Sequence, residues 1–456
     1  MGQLLFRRSP RVVQPRKNSI VLIGHSFVQN CGSADSSFGG AGITNPGTVN
    51  GISYSKGVFE RANILLKQPF TVLSNLGVSG QTSTQILARF GAAVALNPGW
   101  IYLDCHSNDY YQGITAAQSI ANTLAMIKQA NGAGIAVILA LDIPRGAGYA
   151  QSSIQALMQV SDYFKDYAVG NSGLVVFDQW PYFLDTSSIA NAYNGVPLAS
   201  TVLSDSIHPS AYGAGLAAQG LASLLAPLVP VARRRSSCGS DGVSNGDLAI
   251  VTKNPMHIGT GGFSGTGGSG VWGDSGFGAR WIGSTIAGVG SKVTRASVAA
   301  TFPGLFDDGV QGGLQAIALT NASGANSDIF YFTVSTGDTA ADFATKYAGT
   351  GPWVAEAEVG ATSSSGNLNA LYLSVNVPIN TSTNYLVTSN YNLDSGDYLG
   401  VTKFQGVLRT RPFYMPTVIE PSGTPNKVFV GFYMGIQPNA TANVYIGNMH
   451  MRRVLA

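Results

Sequence analysis

Ile20-Val21-Leu22-Ile23-Gly24-His25-Ser26 is the stretch that decides the fold. Its four consecutive apolar residues leave no polar face, as expected of a strand buried on both sides. The strand ends at Gly24, and Ser26 lies where a helix would open. Phe59, Ala62 and Leu65 then recur at helical spacing, followed by a strand over 70–73. Ile86, Phe90 and Val94 form the next helical stripe, with a strand over 101–103. Ile120, Leu124 and Ile127 precede an apolar run over 135–141. Ile154, Leu157, Val160 and Phe164 precede a strand over 174–177, and a last helix covers 211–225. Five β-α units in series predict a three-layer α/β fold, a flavodoxin-like parallel sheet with helices on both faces.

The pattern stops at Pro227-Leu228-Val229-Pro230, which is followed by Arg233-Arg234-Arg235 and a Ser/Gly-rich run to Gly246. Prolines, a charge run and small polar residues read as a solvated linker rather than a basic address. Beyond it, short apolar or alternating runs recur between turn residues, over 329–334, 353–359, 371–377, 428–433 and 443–446. This predicts an all-β sandwich or jelly roll. The stretch 259–278, rich in Gly, Ser and Thr, reads as loop. The expected organisation is therefore a basic tail over 1–18, an α/β domain over 19–228, a linker over 229–246 and a β-rich domain over 247–456.

The 456 residues are 45% hydrophobic, enough for two or more real cores, but only 11% charged, well below the usual quarter. The 57 glycines, with many Ser, Thr and Asn, supply the polar surface instead, a composition that suits extracellular or virion-exposed β-rich proteins. A net charge of +3 gives no nucleic-acid footprint. Residues 1–17 are basic and lack the apolar run of a signal peptide, Phe6 stands where a myristoylation signal needs Ser or Thr, and no segment is apolar enough to span a membrane. The expectation is a soluble protein, virion-associated or otherwise exposed, with an intracellular location left open. Cys31, Cys105 and Cys238 are an odd count without metal spacing and read as two core cysteines and a linker thiol. The five histidines show no His-x-x-x-His spacing and no phosphate-binding glycine loop occurs, so neither metal nor cofactor is expected.

Four blocks fall near the carboxyl ends of the expected strands, where sites in such sheets lie. Ser26 ends the first strand and opens a helix whose N–H groups would face a developing anion. Asn75 to Ser83 follows the second, with Gly80 free to bring a backbone N–H close. His106-Ser107-Asn108-Asp109 follows the third, and the Asn108 amide can donate to the same anion. Ser204-Asp205-Ser206-Ile207-His208-Pro209 precedes the last helix, with a carboxylate and an imidazole three residues apart. A serine hydroxyl is a weak nucleophile until a base takes its proton; His208 would be that base and Asp205 its orienter. Taken singly, Ser26 reads as a helix cap, Asn108-Asp109 as a turn and Asp205-x-x-His208 as a surface pair. The four in order point to one site.

Together these blocks resemble the SGNH (GDSL-type) hydrolases over residues 19–228. The resemblance implies Ser26 as nucleophile, His208 as base, Asp205 as its partner, and an oxyanion hole made of Ser26 N–H, Gly80 N–H and the Asn108 side chain. Two positions depart from the family: His25 replaces the aspartate of its Gly-Asp-Ser block, and His106 stands where its third block has glycine. His25 reads as a hydrogen-bonded structural residue in preference to a second proton acceptor, and His106 as a packed or rim residue. Small acyl esters, acetyl above all, are the chemistry the family implies. Joined to a Gly/Ser/Asn-rich β domain, the blocks suggest an O-acetylesterase acting on a polysaccharide, in the manner of phage tail-fibre or spike proteins. The β domain would then bind glycan or assemble homo-oligomers. Trp272, Trp281, Trp353, Tyr372 and Tyr433 are candidates for stacking on sugars, although most such residues fill a sandwich core. The alternatives are a glycan- or receptor-binding virion protein of weak activity, and a bacterial esterase of small esters.

Overall fold

β1 (Ser19–Gly24) lies inside a five-stranded parallel sheet. A computed structural model describes residues 17–29, 52–54, 57–145, 149–202, 205, 207–229, 263–266, 269–271, 277–282, 286–294, 297–298, 300–303, 305–306, 313–321, 328–335, 345–363, 368–378, 384–390, 403–410, 413–415 and 429–453. After β1 come α1 (Ser26–Gln29), β2 (Ile52–Tyr54), α2 (Val58–Leu65), β3 (Thr71–Gly77), α3 (Ser83–Ala95) and β4 (Trp100–Asp104). They are followed by α4 (Ala116–Gly132), β5 (Ala136–Ala140), α5 (Gln151–Val169), β6 (Leu174–Phe177), α6 (Trp180–Phe183), α7 (Ile189–Tyr193) and α8 (Ala211–Leu225). The sheet order is β3-β1-β4-β5-β6, so the chain reverses its direction of growth across β1, and the crevice at that switch opens at the carboxyl ends.

Alternate residues of each strand serve opposite cores. Ile20, Leu22, Trp100, Tyr102, Ala136 and Ile138 pack with α2 and α8. Val21, Ile23, Ile101, Leu103, Val137 and Leu139 pack with α3, α4 and α5. This double burial is why the strands read as unbroken apolar runs. The helices begin at polar caps. Thr82 and Gln85 form a capping box on α3, and the side chains of Thr115 and Ser210 accept from Gln118 and Gly213 at the starts of α4 and α8.

Two expectations need correction. β3 starts at Thr71 and runs to Gly77, beyond the expected 70–73, so Asn75-Leu76-Gly77 belongs to the strand instead of following it. β3 is a half-buried edge, so its apolar run fades while its backbone keeps pairing with β1 as far as Gly24 and Gly77. The stretch 259–278 also contains strands, β7 (Phe263–Thr266), β8 (Ser269–Val271) and the first residues of β9 (Phe277–Ile282). β7 lies at the edge of its sheet, beside β10 (Ile286–Thr294), and β8 at the edge of the other, beside β9. Edge strands need backbone hydrogen bonds more than side-chain burial, which Gly-rich sequence can supply.

The remaining strands are β11 (Gly313–Asn321), β12 (Asp328–Ser335), β13 (Trp353–Ser363), β14 (Leu368–Pro378), β15 (Asn384–Asn390), β16 (Lys403–Arg409), β17 (Phe429–Ile436) and β18 (Ala440–Arg453). They form two sheets of orders β16-β13-β18-β11-β10-β7 and β2-β15-β14-β17-β12-β9-β8. Ile317, Val359 and Val444 of one sheet share a core with Leu371, Val375 and Phe432 of the other, a sandwich. Every pairing between these strands is antiparallel except that of β2 with β15, which inserts residues 52–54 of the segment after α1 into the sandwich edge. Trp353 is 1% exposed and donates its indole N–H to Thr350 O at 3.2 Å, so it fills the core. Trp272, the side chains of Trp281, Tyr372 and Tyr433, and Cys31 and Cys238 lie outside the described residues; Cys105 is buried. Among the described residues no helix is long and apolar enough to cross a membrane.

The two halves touch at α2. Ile64 belongs to the sandwich core, and Arg409 bonds Glu356 Oε2 at 2.6 Å while donating to Gln68 O at 3.0 Å.

One glycine positions the loop that leads to α8. A Cβ at Gly213 would overlap the carbonyl of Thr201 and press on the Phe183 ring, whereas a Cβ at Gly132, also helical, would meet nothing within 4 Å. Alanine gains up to about 1 kcal/mol of helix propensity over glycine, and overlap with backbone costs about 1–3 kcal/mol. Chemical denaturation should therefore show Gly213→Ala less stable by about 1–2 kcal/mol and Gly132→Ala unchanged or slightly more stable. Equal effects at the two positions would refute the close packing of α8 on the 199–201 turn.

Candidate active site

β1 delivers Ser26 to the carboxyl edge. A Cβ at Gly24 would overlap Asp104 O, and one at Gly77 would overlap the backbone of Gln29, so only glycines let α1 turn back over the sheet at this point. The Gly24 carbonyl accepts from Val78 N at 2.9 Å and from Arg89 Nη2 at 2.9 Å. Arg89, from α3, also donates to Leu76 O and to Gln81 Oε1, each at 2.6 Å. One guanidinium thus ties the ends of β1 and β3 to the loop between β3 and α3. Partial burial holds it below the ordinary arginine value.

The turn before α8 brings the other partners to Ser26. His208 Nε2 lies 3.0 Å from Ser26 Oγ, and His208 Nδ1 lies 2.6 Å from Asp205 Oδ2. Asp205 Oδ1 accepts from the backbone N–H groups of Ile207 (2.8 Å) and His208 (3.0 Å), so the same three residues set both the turn and the carboxylate direction. Burial alone would raise the Asp205 carboxyl; the His208 and Ile207 N–H groups and the His208 ring outweigh it and hold it below its ordinary value. Ser26 is 6% exposed, while the His208 side chain is 20% and the Asp205 side chain 40% exposed. The His208 ring therefore faces both the Ser26 hydroxyl and the solvent. The Phe27 ring meets His208 edge-on at 5.6 Å and restrains its tilt.

Gly80 and Asn108 sit on adjoining loops. Gly80 has φ +76°, which glycine adopts without strain, and a Cβ there would meet nothing, so its backbone is open on that side. Asn108 Nδ2 donates to Gln81 O at 3.0 Å, joining the third block to the residue after Gly80. An amide has two N–H groups, and that bond spends one and aims the other. Gln112 Nε2 donates to Gly80 O at 2.6 Å from beyond the turn.

His25 and His106 both point into the protein. His25 is fully buried, with Nε2 3.0 Å from Asp104 Oδ1. The N–H line misses that oxygen, so the pair is an electrostatic contact and not an aligned hydrogen bond. His106 Nε2 lies 3.1 Å from Thr123 Oγ1, its ring stacks on Phe164 at 5.9 Å, and burial pushes its pKa down. Neither stands beside the Ser26 hydroxyl as a second base would.

Several residues support the site without having been assigned a role by the motifs. Asp109 is fully buried and its Oδ1 accepts Ser83 N at 2.7 Å, joining the third block to the start of α3. Arg145 lies over the Phe27 ring at 5.1 Å. Tyr149 donates its hydroxyl to Ser107 O at 2.6 Å, and burial pushes that phenol up to about 12, so it remains a donor. Arg89 and Arg145 have no sequence signal beyond their charge, because their partners are mostly backbone atoms and a ring far away in the chain; Asp109 lies in the third block, but its bond to Ser83 leaves no mark there.

Residues 22–216 match the GDSL-like Lipase/Acylhydrolase family. Solved structures similar to the chain include a GDSL-like lipase from Bacteroides thetaiotaomicron, 17% identical, with 46% of this chain and 87% of that one covered and a TM-score of 0.33. A member of the lipolytic protein G-D-S-L family from Veillonella parvula is 17% identical, with 45% and 96% covered and a TM-score of 0.34. A catalytic mutant of an acetylxylan esterase from Geobacillus stearothermophilus is 17% identical, with 49% and 99% covered and a TM-score of 0.36. The comparison with curated proteins gives no match. Residues 22–216, with their five-stranded parallel sheet and its helices, are a GDSL-like lipase/acylhydrolase domain.

Proposed function

We propose that this domain hydrolyses carboxylic esters through an acyl-serine intermediate on Ser26, and that its substrate is a small O-acyl group, acetyl first, on a polysaccharide. The observation that carries the chemistry is the continuous line Asp205 Oδ2, His208 Nδ1, His208 Nε2, Ser26 Oγ, with steps of 2.6 and 3.0 Å. Asp205 holds the proton on Nδ1, which leaves Nε2 as the acceptor facing the hydroxyl. Ser26 Oγ attacks the ester carbonyl as its proton passes to His208. The oxygen that becomes negative is met by Ser26 N–H, Gly80 N–H and the second N–H of Asn108. Collapse returns the His208 proton to the departing sugar hydroxyl. Water then repeats the sequence on the acyl-serine, releasing the carboxylic acid and restoring Ser26.

The substrate reading is supported by the build of the chain. A domain of this kind joined to a β-sandwich, in a chain with 57 glycines and 11% charge, suits work outside a cell, on a virion tail fibre or spike or on a secreted enzyme. In that setting the sandwich would hold glycan or assemble copies of the chain. The catalytic domain would span 19–228 and the β-rich domain 247–456, joined by a linker over 229–246.

Turnover of p-nitrophenyl acetate tests the nucleophile. Ser26→Ala should lose at least about 10³-fold in kcat, and His208→Ala about 10²–10⁴-fold. Asn108→Ala should lose about 10²–10³-fold in kcat with a smaller change in KM, because its second N–H serves the transition state. Equal turnover by wild type and Ser26→Ala would remove Ser26 from the mechanism, and no turnover by wild type would remove the esterase reading for small esters.

The pH dependence has a definite sign. The reaction needs the base neutral, so kcat/KM is low in acid, rises with pH as the base loses its proton, and then levels off. Asp205, held below its ordinary value, is ionised throughout that rise and adds no second limb. Because its folded pKa is depressed, its contribution to stability is complete above the unfolded value and is lost only as pH falls through the folded one. A flat profile between about pH 5 and 9 would exclude a histidine base.

A further inference from the structure

A groove of about 630 Å³ lies between α5, α6 and α7, a volume within the range of small-molecule sites. One wall is a stripe of α5. Gln151, Gln155, Gln159 and Asp162 follow one another at intervals of four, four and three, which puts them on one helix face over roughly 16 Å. The opposite wall carries two aromatic rings, Trp180 at the start of α6 and Tyr193 at the end of α7. Tyr193 is 69% exposed, although an aromatic of its size would normally be covered. Trp180 is half-buried and held in place. Gly195, at φ +57°, brings its backbone against the ring so that a Cβ would stand 3.1 Å from it, and Asp178 Oδ1 accepts the Trp180 backbone N–H at 3.1 Å.

The polar ends of this groove are unspent. Among the described residues, no protein partner meets the side-chain amides of Gln151, Gln155 and Gln159, the Asp162 carboxylate, the Tyr193 hydroxyl or the Trp180 indole N–H. The lining holds one carboxylate and no cation. That charge disfavours nucleic acid and other polyanions. A peptide strand would need a free sheet edge or a row of apolar pockets, and α5 offers neither. Planar amides that donate and accept together suit vicinal hydroxyls, while the electron-rich faces of Trp180 and Tyr193 suit the polarised C–H faces of a sugar ring.

We propose that the α5–α6–α7 groove is a second binding site, for a neutral oligosaccharide strand, separate from the Ser26 site. Its upper end lies at the edge of the sheet that carries Ser26. Gln151 opens α5 two residues after Tyr149, whose hydroxyl bonds Ser107 O in the third block, and Trp180 follows β6 by three residues. A polymer held along α5 is therefore delivered toward the carboxyl edge. The assignment does not depend on Ser26 chemistry and would hold for a domain that only bound glycan.

The test uses the full chain carrying Ser26→Ala, so that no bound ester is consumed, on an array of neutral plant, fungal and bacterial-surface oligosaccharides. At least one glycan should bind. Trp180→Ala in the same background should weaken it about tenfold, the effect of losing one aromatic face, and Gln155→Ala, at an exposed position that folding does not need, should weaken it severalfold. In the Ser26 background both variants should turn over p-nitrophenyl acetate at the unsubstituted rate, which separates failure of this site from failure of the esterase reading. The inference is overturned if the array shows no binding, if binding survives both substitutions, or if the chain binds peptides through this groove. It is equally overturned if Tyr193→Ala dissolves a self-associated form in sedimentation, which would make the groove an interface between copies.

Discussion

The carboxyl edge of the parallel sheet depends on one backbone oxygen, the carbonyl of Gly24. It takes a hydrogen bond from Val78 N and another from Arg89, and its residue has no Cβ because Asp104 O occupies that space. These contacts fix where β1 stops relative to both neighbours, β3 and β4. Ser26 lies two residues beyond, and with so short a lever its Oγ can shift little unless the sheet edge itself moves. Hydrogen bonds to a charged donor contribute roughly 1.5–3 kcal/mol each, about twice a neutral one. The three that Arg89 makes therefore suffice to hold a loop, a strand end and the turn into α1 as one body.

That rigidity matters because the two residues that meet at this edge come from opposite ends of the domain. Ser26 is fixed by β1, whereas His208 arrives on the turn before α8, after 182 residues. The turn is held by its own short bonds from Asp205 to the 207 and 208 N–H groups, by Ser210 N donating to Thr201 O, and by the contact of α8 with the 199–201 turn at Gly213. Phe27 connects the two sides, being next in chain to Ser26 and in edge contact with His208. Packing on both faces of one sheet thus becomes a 3.0 Å contact between residues that the chain keeps far apart.

Much of this was legible because the physics that forms the α/β unit is local and periodic. Strands buried on both faces appear as apolar runs, and Ile154, Leu157, Val160 and Phe164 are all buried as their spacing implies. Asp205 and His208 were legible for the same local reason, since the carboxylate caps the turn that presents the imidazole. What sequence missed is non-local. The extension of β3 to Gly77 is maintained by backbone pairing with β1, and the Gly-rich β7 and β8 by pairing with β10 and β9. Backbone pairing leaves no side-chain pattern. Arg89 was invisible because two of its three acceptors are carbonyls, which every residue carries.

The buried pair beside Ser26 shows how a departure from a family pattern can be partly offset. A histidine where that pattern has aspartate would leave a ring nitrogen buried under Ser26, and unmatched polar groups at that depth cost about 1–3 kcal/mol. Asp104, at the end of β4, places a carboxylate 3.0 Å from His25 Nε2, and the ring leans edge-on to Phe27 at 4.8 Å. The carboxylate that the first block lacks is supplied from the neighbouring strand, with the histidine between it and the turn into α1. His25 and Asp104 therefore have to be considered together. Removing either alone takes away the electrostatic neighbour of the other in an enclosed site next to Ser26, and the disturbance would reach the hydroxyl through the backbone of residues 25 and 26.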